Sequence, residues 1–359
     1  MPNILIAGGG SGGHVAPAIA VGEALVERDC DVLLAHSTRR IDVELIHETA
    51  FEATPLRAMP LSLTPLGFWS FCIGFLRAAN KTKRLIQTRD IRCVVATGGF
   101  VAAPALWAAH RMQIPTVLLN FDRPAGKANK LASRWADQVL STVAWEHVNA
   151  QLVPPPLRRC TISKDDQRKN RVALGLDPSL MTLIVTGASQ GAETLNELVP
   201  ALATKAPTVF KNWQIFHLSG PNKAVEVRDA YEKSGVKFVV QEFTHEMGAV
   251  WGAADFAITR GGANTIAEIA FNAVPSIVLP YPFHTDDHQR TNALPLADLG
   301  GVLIETDHTS LHGNIHEGGQ RIVALLQNHE QRFKMQQALA LEAPINGASV
   351  IADAVLSSI

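Results

Sequence analysis

The stretch Ile4-Leu5-Ile6-Ala7-Gly8-Gly9-Gly10-Ser11-Gly12-Gly13-His14 decides how this chain folds. Its four apolar residues are typical of the buried first strand of a parallel sheet. The glycines that follow form a turn without Cβ atoms, so backbone N–H groups can approach a ligand closely. Pro17 and the apolar run after it indicate the start of a helix. A strand, a glycine loop and a helix N-terminus together predict an anion site, with His14 as a titratable group beside the anion.

The spacing Gly8-x-Gly10-x-x-Gly13 also fits the dinucleotide-binding fingerprint. A dehydrogenase normally carries an acidic residue at the end of its second strand, where it holds the ribose. Here the second strand, Asp31–Ala35, continues into His36-Ser37-Thr38-Arg39-Arg40 without a carboxylate at its end. The pattern therefore favours a phosphate site over an NAD site.

Composition limits the class of protein. The 359 residues are enough for two domains, and 47% hydrophobic with 18% charged residues is typical of an α/β enzyme. The net charge of −1 gives no reason to expect a nucleic-acid partner. The spacing of Cys30, Cys72, Cys93 and Cys160 is neither paired nor metal-binding, so we expect reduced cytosolic thiols. We expect no signal peptide and no membrane span, since the longest apolar run, near 67–76, is too short.

Strand and helix signals alternate along the first half of the chain. Helical patterns cover 41–49, 102–111 and 127–135, and strand patterns cover 53–56, 93–96 and 116–119. Thr97-Gly98-Gly99-Phe100 is a second glycine turn after the 93–96 strand. This alternation predicts a doubly wound parallel sheet, with ligands at the carboxyl ends of its strands.

The second half begins as the first half does. Pro154-Pro155-Pro156 breaks the pattern, and a strand at Thr182–Thr186 is then followed by Gly187-Ala188-Ser189-Gln190-Gly191-Ala192 and a helix from Thr194. Further strands are predicted at 213–218, 236–240, 256–258, 276–279 and 302–304, and a last helix at 348–357. We expect domains at 1–157 and 158–340, with 341–359 as a C-terminal helix that packs back on the first domain.

The densest polar pattern lies in this second half. Thr259-Arg260-Gly261-Gly262-Ala263-Asn264-Thr265-Ile266-Ala267-Glu268 follows a strand and opens a helix, which again predicts an anion site. Glu268 in the early part of that helix could accept both hydroxyls of a ribose. In the next loop and helix, His288, Gln289 and Asn292 offer directional hydrogen bonds to sugar hydroxyls.

These motifs together resemble the MurG family. Gly9-Gly10-Ser11-Gly12-Gly13-His14, Gly98-Gly99-Phe100-Val101 with Pro104, and Gly187–Ala192 match its glycine loops in order. The segments 260–268 and 287–293 resemble its nucleotide-sugar motif. Five motifs in register, over about Ile4 to Leu299, make the resemblance specific.

The resemblance implies a fold, an activity and partners. The family has the GT-B fold, in which two Rossmann-like doubly wound domains face across a cleft. It moves N-acetylglucosamine from UDP-N-acetylglucosamine to lipid I, the undecaprenyl-pyrophosphoryl-MurNAc-pentapeptide, in peptidoglycan synthesis. The reaction inverts the anomeric centre, needs no cofactor, and takes place peripherally at the cytoplasmic face of the bacterial membrane.

Site residues follow from the same resemblance. His14 would be the general base that takes the proton of the acceptor hydroxyl. The residues implied to contact the donor are Ser11, Gly12, Gly13, Asp122, Arg158, Ser189, Thr244, Ala263, Asn264, Thr265, Ile266, Ala267, Glu268 and Gln289.

Two stretches depart from the family pattern. Leu119-Asn120-Phe121-Asp122 stands where the family has His-Glu-Gln-Asn, which places Asp122 at the position of a sugar-contacting asparagine. Pro154-Pro155-Pro156-Leu157-Arg158 replaces Gly-Asn-Pro-Val-Arg at the linker, although Arg158 is retained as a diphosphate contact. The first departure bears on the acceptor and on catalysis more than on the donor.

Several residues keep a second interpretation. His14 could instead have the lesser role of capping the loop or donating to a phosphate. Ser189 could instead be simply a helix N-cap. Glu268 could be a solvated helix residue, and His288 a structural histidine. Asp286-Asp287 lacks the Asp-x-Asp spacing of metal-dependent sugar transferases, so we expect no metal.

A membrane patch is a further hypothesis. Phe68, Trp69, Phe71 and Phe75 stand beside Lys81, Lys83 and Arg84, a combination suited to an anionic membrane surface. An ordinary core-facing helix with a solvated basic end is the alternative.

The sequence thus predicts a UDP-N-acetylglucosamine-dependent hexosyltransferase. Other readings are a GT-B transferase with another lipid acceptor, a UDP-sugar epimerase, and a non-catalytic UDP-sugar binder.

Overall fold

The computed structural model describes residues 1–10, 12–47, 49–62, 64–123, 125–145, 148–283, 287–342 and 344–359. The chain divides into two compact units. One is formed by Met1–Arg158 together with Ile345–Ile359, and the other by Arg159–Pro344. The C-terminal segment therefore belongs to the first unit.

Thirteen strands lie in the described part of the chain. They are β1 (Asn3–Gly8), β2 (Asp31–His36), β3 (Glu52–Pro55), β4 (Ile91–Gly98), β5 (Thr116–Asn120), β6 (Gln138–Ser141), β7 (Gln151–Leu152), β8 (Met181–Thr186), β9 (Trp213–Leu218), β10 (Lys237–Gln241), β11 (Phe256–Thr259), β12 (Ser276–Val278) and β13 (Val302–Ile304). All of their pairings are parallel.

The same described residues form sixteen α-helices. They are α1 (Gly12–Val26), α2 (Arg40–His47), α3 (Pro65–Thr88), α4 (Ala102–Arg111), α5 (Lys127–Ala132), α6 (Gln167–Ala173), α7 (Glu193–Lys205), α8 (Pro207–Phe210), α9 (Ala224–Glu232), α10 (Met247–Ala253), α11 (Ala263–Phe271), α12 (His288–Asp298), α13 (Leu311–Asn314), α14 (Gln320–Gln327), α15 (His329–Leu341) and α16 (Gly347–Ser357).

Both sheets have the doubly wound topology. The first is ordered β3-β2-β1-β4-β5-β6-β7 and the second β10-β9-β8-β11-β12-β13. In each, the chain winds outward from the first strand and then returns to its other side. The switch points are β1/β4 and β8/β11, where open α/β sheets bind ligands at the strand carboxyl ends. The prediction of two Rossmann-like domains, and of an internal repeat at the level of architecture, is confirmed.

Burial on both faces explains the continuous apolar strands. In β1, Ile4 and Ile6 pack against α1, α2 and α16 on one face. Leu5 and Ala7 point to the opposite face, which α3, α4 and α5 cover. In β8, Leu183 and Val185 likewise face a different core from Ile184. A strand with helices on both sides has no solvent face, so it needs no polar alternation.

Two local predictions need correction, and two short strands were not predicted. Helix α1 begins at Gly12, so Pro17 lies inside the helix rather than at its start. The helix loses one backbone hydrogen bond at this position, because proline has no N–H to donate to the carbonyl four residues earlier. The predicted helix over 127–135 ends as an α-helix at Ala132 and continues as a 3-10 turn. The strands that were not predicted are β6 and β7, which are short; β7 forms one edge of the sheet, and β6 lies next to it.

The C-terminal helix α16 completes the core of the first unit. Ile351, Ala352 and Val355 are fully buried in the same cluster as α1. Arg28 donates to Asp353 at 2.6 Å. Where the chain re-enters the first unit, the Asn346 side chain accepts from the Leu157 N–H and donates to the Leu157 carbonyl, both at 2.9 Å.

Candidate active site

Two glycine loops meet at the switch point of the first unit. The Gly9 N–H donates to the Gly98 carbonyl at 3.4 Å. Gly99 has a φ of +76°, and a Cβ atom there would overlap the Gly9 carbonyl. Only glycine allows both this backbone conformation and this approach. The two loops therefore form one surface at the carboxyl ends of β1 and β4.

A buried carboxylate supports this surface from below. Asp42 on α2 accepts from the Gly10 N–H and from the Ser37 hydroxyl, each at 2.5 Å. Its side chain is fully buried beneath the loop, so it supports the loop backbone. The dinucleotide fingerprint predicts an acidic residue only at the end of β2, whereas Asp42 belongs to the next helix, α2. The sequence feature that could have indicated Asp42 is its place in the first turn of α2, on the helix face that also carries Leu45 and Ile46.

His14 lies in the first turn of α1 rather than at the end of the loop. Its carbonyl accepts from the Thr97 hydroxyl at 2.8 Å, which ties α1 to β4. The ring lies over Gly98, where a Cβ atom would come within 2.6 Å of Nδ1. Nδ1 is buried and has no hydrogen-bond partner among the described residues, while the residue as a whole is half-buried. The flanking Gly12 and Gly13 open the helix, and Ser11 lies outside the described residues.

The divergent stretch 119–122 follows β5 and has a defined shape. Asn120 is buried and donates to the Asp122 carbonyl and to the Ser141 hydroxyl, each at 3.1 Å. Asn129 donates to the Asn120 side-chain oxygen at 3.1 Å. Buried amides thus fix the backbone of this loop, and Asp122 is half-buried at its edge.

In the second unit, the predicted donor motif lies at the β8/β11 switch point. Helix α11 begins at Ala263, and its N-cap Gly262 provides no side-chain cap. The first N–H groups of the helix, at Ala263, Asn264 and Thr265, therefore lack intrahelical acceptors and suit an anion. Ile266 already donates its N–H to Gly262 at 3.0 Å. The side chains of Ile266 and Ala267 are buried, so neither can contact a ligand through its side chain.

Glu268 is buried rather than solvated. Only 8% of the residue is exposed, and Oε2 accepts from the indole Nε1–H of Trp251 at 2.8 Å. The interpretation of Glu268 as a solvated helix residue is therefore wrong. No motif in the sequence indicates this contact, because Trp251 lies on a different helix, α10.

Gln289 and Asn292 hold two loops together. The Gln289 side-chain oxygen accepts from Tyr281 N–H at 2.9 Å and Gly261 N–H at 3.3 Å. Asn292 donates to the Gly261 carbonyl at 3.1 Å. The oxygen of Gln289 is thus used within the protein. His288 is half-buried as the first residue of α12, while Asp286 lies outside the described residues.

Arg260 is held by a buried ion pair that sequence reasoning missed. Its guanidinium donates to Asp307 at 2.8 Å and to the carbonyls of Leu279 and Pro280. Hydrogen bonds from the Thr309 N–H, Thr194 and Arg260 outweigh the effect of burial and lower the pKa of Asp307. Both charged groups are more than nine-tenths buried. Asp307 stands in a loop with no motif around it, so the sequence offered no signal.

A cavity of about 780 Å³ adjoins these loops within the second unit. Its walls include the 187–192 loop, Arg260, Gln289, and the rings of Tyr281 and Phe283. The side chain of Ser189, which the sequence placed at the donor diphosphate, lies outside the described residues; its backbone is part of a 3-10 turn.

The other two predicted donor contacts are Thr244 and Arg158. Thr244 is half-buried between β10 and α10, and its hydroxyl accepts from the Glu246 N–H at 3.2 Å. Arg158 is the last residue of the first unit and is half-buried. Among the described residues there is no group of three or more His, Cys, Asp or Glu arranged to hold a metal ion.

Helix α3 carries the predicted membrane patch and spans Pro65–Thr88, with Thr64 as its N-cap. Leu66 and Trp69 are 84% and 68% exposed, and Phe68 is also exposed. Phe71 is half-buried, and Phe75 packs inward against Trp107 and Trp135. The position of each residue around the helix explains the difference, because Phe75 lies on the same helix face as the buried Ala78 and Ala79. No helix in the described residues is long and apolar enough to cross a membrane.

Both units are doubly wound parallel sheets with glycine-rich loops at their switch points, which is the fold of the GT-B glycosyltransferases. Family models agree with this class. The model of the glycosyltransferase family 28 N-terminal domain matches residues 4–141, and that of its C-terminal domain matches residues 182–350.

Curated relatives define the family more narrowly. A UDP-N-acetylglucosamine–N-acetylmuramyl-(pentapeptide) pyrophosphoryl-undecaprenol N-acetylglucosamine transferase of Streptomyces coelicolor is 32% identical, over 94% of this chain and 93% of the relative. The Corynebacterium diphtheriae protein of the same name is 30% identical, over 99% and 97%. This chain belongs to that family, the MurG family, as the sequence motifs predicted.

Solved structures agree on the fold. MurG of Acinetobacter baumannii superposes with a TM-score of 0.76 at 23% identity, covering 99% of both chains. A putative UDP-N-acetylglucosamine 2-epimerase of Listeria monocytogenes gives 0.66 at 14% identity, covering 99% of this chain and 95% of the other. Such identities bear on the GT-B fold alone, which transferases and epimerases share.

Proposed function

We propose that this protein transfers N-acetylglucosamine from UDP-N-acetylglucosamine to undecaprenyl-pyrophosphoryl-MurNAc-pentapeptide. The observation that carries the proposal is the near-full-length match to transferases named for this reaction. The uncapped start of α11 supports it, because a diphosphate is the kind of group that a helix N-terminus binds.

The donor is bound mainly by the second unit in this proposal. The diphosphate lies at the N–H groups of Ala263, Asn264 and Thr265, and Glu268 accepts from the ribose hydroxyls. The helix dipole stabilises the negative charge that develops as UDP leaves. The remaining proposed donor contacts are Ser11, Gly12, Gly13, Asp122, Arg158, Ser189, Thr244 and Gln289.

His14 is the proposed general base. A neutral imidazole can accept a proton from the acceptor hydroxyl. Its position beside two glycine loops supports this role, because residues without a Cβ atom let an acceptor approach close to the ring. The acceptor oxygen then attacks the anomeric carbon, and the bond to UDP breaks.

The test is turnover with the purified lipid acceptor and radiolabelled UDP-N-acetylglucosamine. We expect His14→Ala to lower kcat by about 10²- to 10⁴-fold, the usual contribution of a general base. UDP affinity, measured by calorimetry, should change little. If His14→Ala keeps kcat and loses donor affinity, His14 is a phosphate ligand. If the wild type binds UDP-sugar but transfers nothing to this acceptor, the proposed reaction is wrong.

We further propose that the exposed end of α3 binds the cytoplasmic face of the bacterial membrane. Leu66, Phe68 and Trp69 would enter the interface, while Lys83 and Arg84 contact anionic headgroups. Trp69→Ser should weaken cosedimentation with vesicles of phosphatidylglycerol, and added salt should weaken it further. Phe75→Ser serves as the contrast, since it should lower stability instead. Unchanged vesicle binding by Trp69→Ser would contradict the proposal.

A further inference from the structure

We infer that Trp251 is a positioning residue that orients the Glu268 carboxylate toward the ribose of the bound nucleotide. This inference rests on the proposed function, in which Glu268 accepts from the ribose hydroxyls. It adds a residue from a helix that carries none of the predicted site residues.

The contact between Trp251 and Glu268 is a buried hydrogen bond. The Trp251 indole Nε1–H donates to Glu268 Oε2 at 2.8 Å. Trp251 is 1% exposed and Glu268 is 8% exposed. A carboxylate removed from water needs donors, and an indole N–H can only donate. The Trp251 N–H therefore both stabilises the buried charge and fixes the direction of one oxygen.

The indole is itself held firmly. Its ring belongs to the core cluster that includes Val250, Ile266 and Ile269. Helix α10 approaches residues 160–162 so closely that a Cβ atom at Gly248 would overlap the Ile162 carbonyl. A close-packed ring of this size cannot change rotamer without a cavity to move into. The hydrogen bond to Glu268 therefore comes from a rigid part of the core.

Helix α11 is also anchored at its C-terminal end. Asn272, one turn after Glu268, donates to the Thr161 carbonyl at 3.0 Å and accepts from the Ser163 N–H at 3.0 Å. The backbone of α11 is thus anchored. The hydrogen bond from Trp251 fixes the direction of the Glu268 side chain, so the carboxylate is pre-organised before a nucleotide arrives.

The experiment uses the full chain and compares Trp251→Phe with Trp213→Phe. Phenylalanine removes the indole N–H while keeping an aromatic ring. Trp213 is a matched control, because it is 2% exposed, lies in the same unit, and belongs to the other core cluster. Dissociation constants are measured by calorimetry for UDP, 2′-deoxy-UDP and 3′-deoxy-UDP.

We expect Trp251→Phe to weaken UDP binding by about 3- to 10-fold, as the loss of one hydrogen bond implies. The preference for UDP over at least one deoxy analogue should shrink by a similar factor, since that analogue lacks a hydroxyl that Glu268 would meet. Trp213→Phe should leave the preference unchanged. If Trp251→Phe weakens UDP and both deoxy analogues equally, or weakens none of them, the inference is overturned.

Glu268→Gln separates this inference from the proposed function. If Glu268→Gln leaves the UDP preference intact, the ribose assignment fails. If it reduces the preference and Trp251→Phe does not, only the positioning role fails. The double variant should lose no more preference than Glu268→Gln alone. Should Trp251→Phe not fold, benzothienylalanine at position 251 keeps the ring shape, replaces the N–H with sulfur, and should give the same loss.

Discussion

A buried histidine makes the second unit sensitive to acid. His217 on β9 has Nε2 2.9 Å from the Asn196 side-chain oxygen and Nδ1 2.8 Å from the Tyr231 hydroxyl. Since Asn196 donates its amide N–H to the Ser219 carbonyl, its oxygen accepts from Nε2–H. Nδ1 therefore accepts from the Tyr231 hydroxyl. The neutral imidazole uses both nitrogens. A second proton on Nδ1 would make the Tyr231 hydroxyl accept rather than donate, and would leave the hydroxyl proton without an acceptor in this trio.

Burial lowers the pKa of His217 from 6.5 to about 3. The unfolded chain takes up a proton below the ordinary value, whereas the native state stays neutral down to about pH 3. The stabilising contribution is therefore complete above pH 6.5 and is lost progressively as the pH falls toward 3. At pH 5, 1.5 units below the unfolded pKa, the loss is about 2 kcal/mol.

Hydrogen exchange of the β9 amides measures this loss in the second unit itself. The opening free energy is compared at pH 7 and pH 5 for the wild type and for His217→Gln, which cannot titrate in this range. We expect the wild type to lose about 2 kcal/mol more than the variant on acidification. Contributions from other groups cancel in the difference. An equal loss in both proteins would refute the reasoning.

Two further predictions concern the first unit. Gly99→Ala should lower the free energy of unfolding by at least about 2 kcal/mol in thermal or urea unfolding, because the added Cβ meets Gly9 in an unfavourable backbone conformation. Gly126→Ala, where a Cβ meets nothing within 4 Å, is the control and should be nearly neutral. Asn346→Ala removes both hydrogen bonds to Leu157 and should cost about 1–3 kcal/mol. It should also speed proteolytic release of the C-terminal segment, and an unchanged cleavage rate would contradict this account.

Local chemistry made much of the fold predictable. Continuous apolar runs mark strands that are covered on both faces, so the predictions at Trp213–Leu218 and Val302–Ile304 match β9 and β13 residue for residue. Helix α4 likewise begins and ends where its apolar pattern does, at Ala102 and Arg111. The glycine loops also lie at the switch points of both sheets, where the sequence predicted them. The order of these motifs was also enough to predict the family.

Contacts between distant segments were decided only by the tertiary structure. Asp42 beneath the glycine loop, Asp307 against Arg260 and Trp251 against Glu268 each join residues on different elements. Nothing in the spacing of these residues along the chain encodes such a contact, because it depends on how helices and loops pack around a completed sheet. The sequence determined where the glycine-rich loops lie along the chain. Packing determined which buried side chains contact those loops and the helices that follow them.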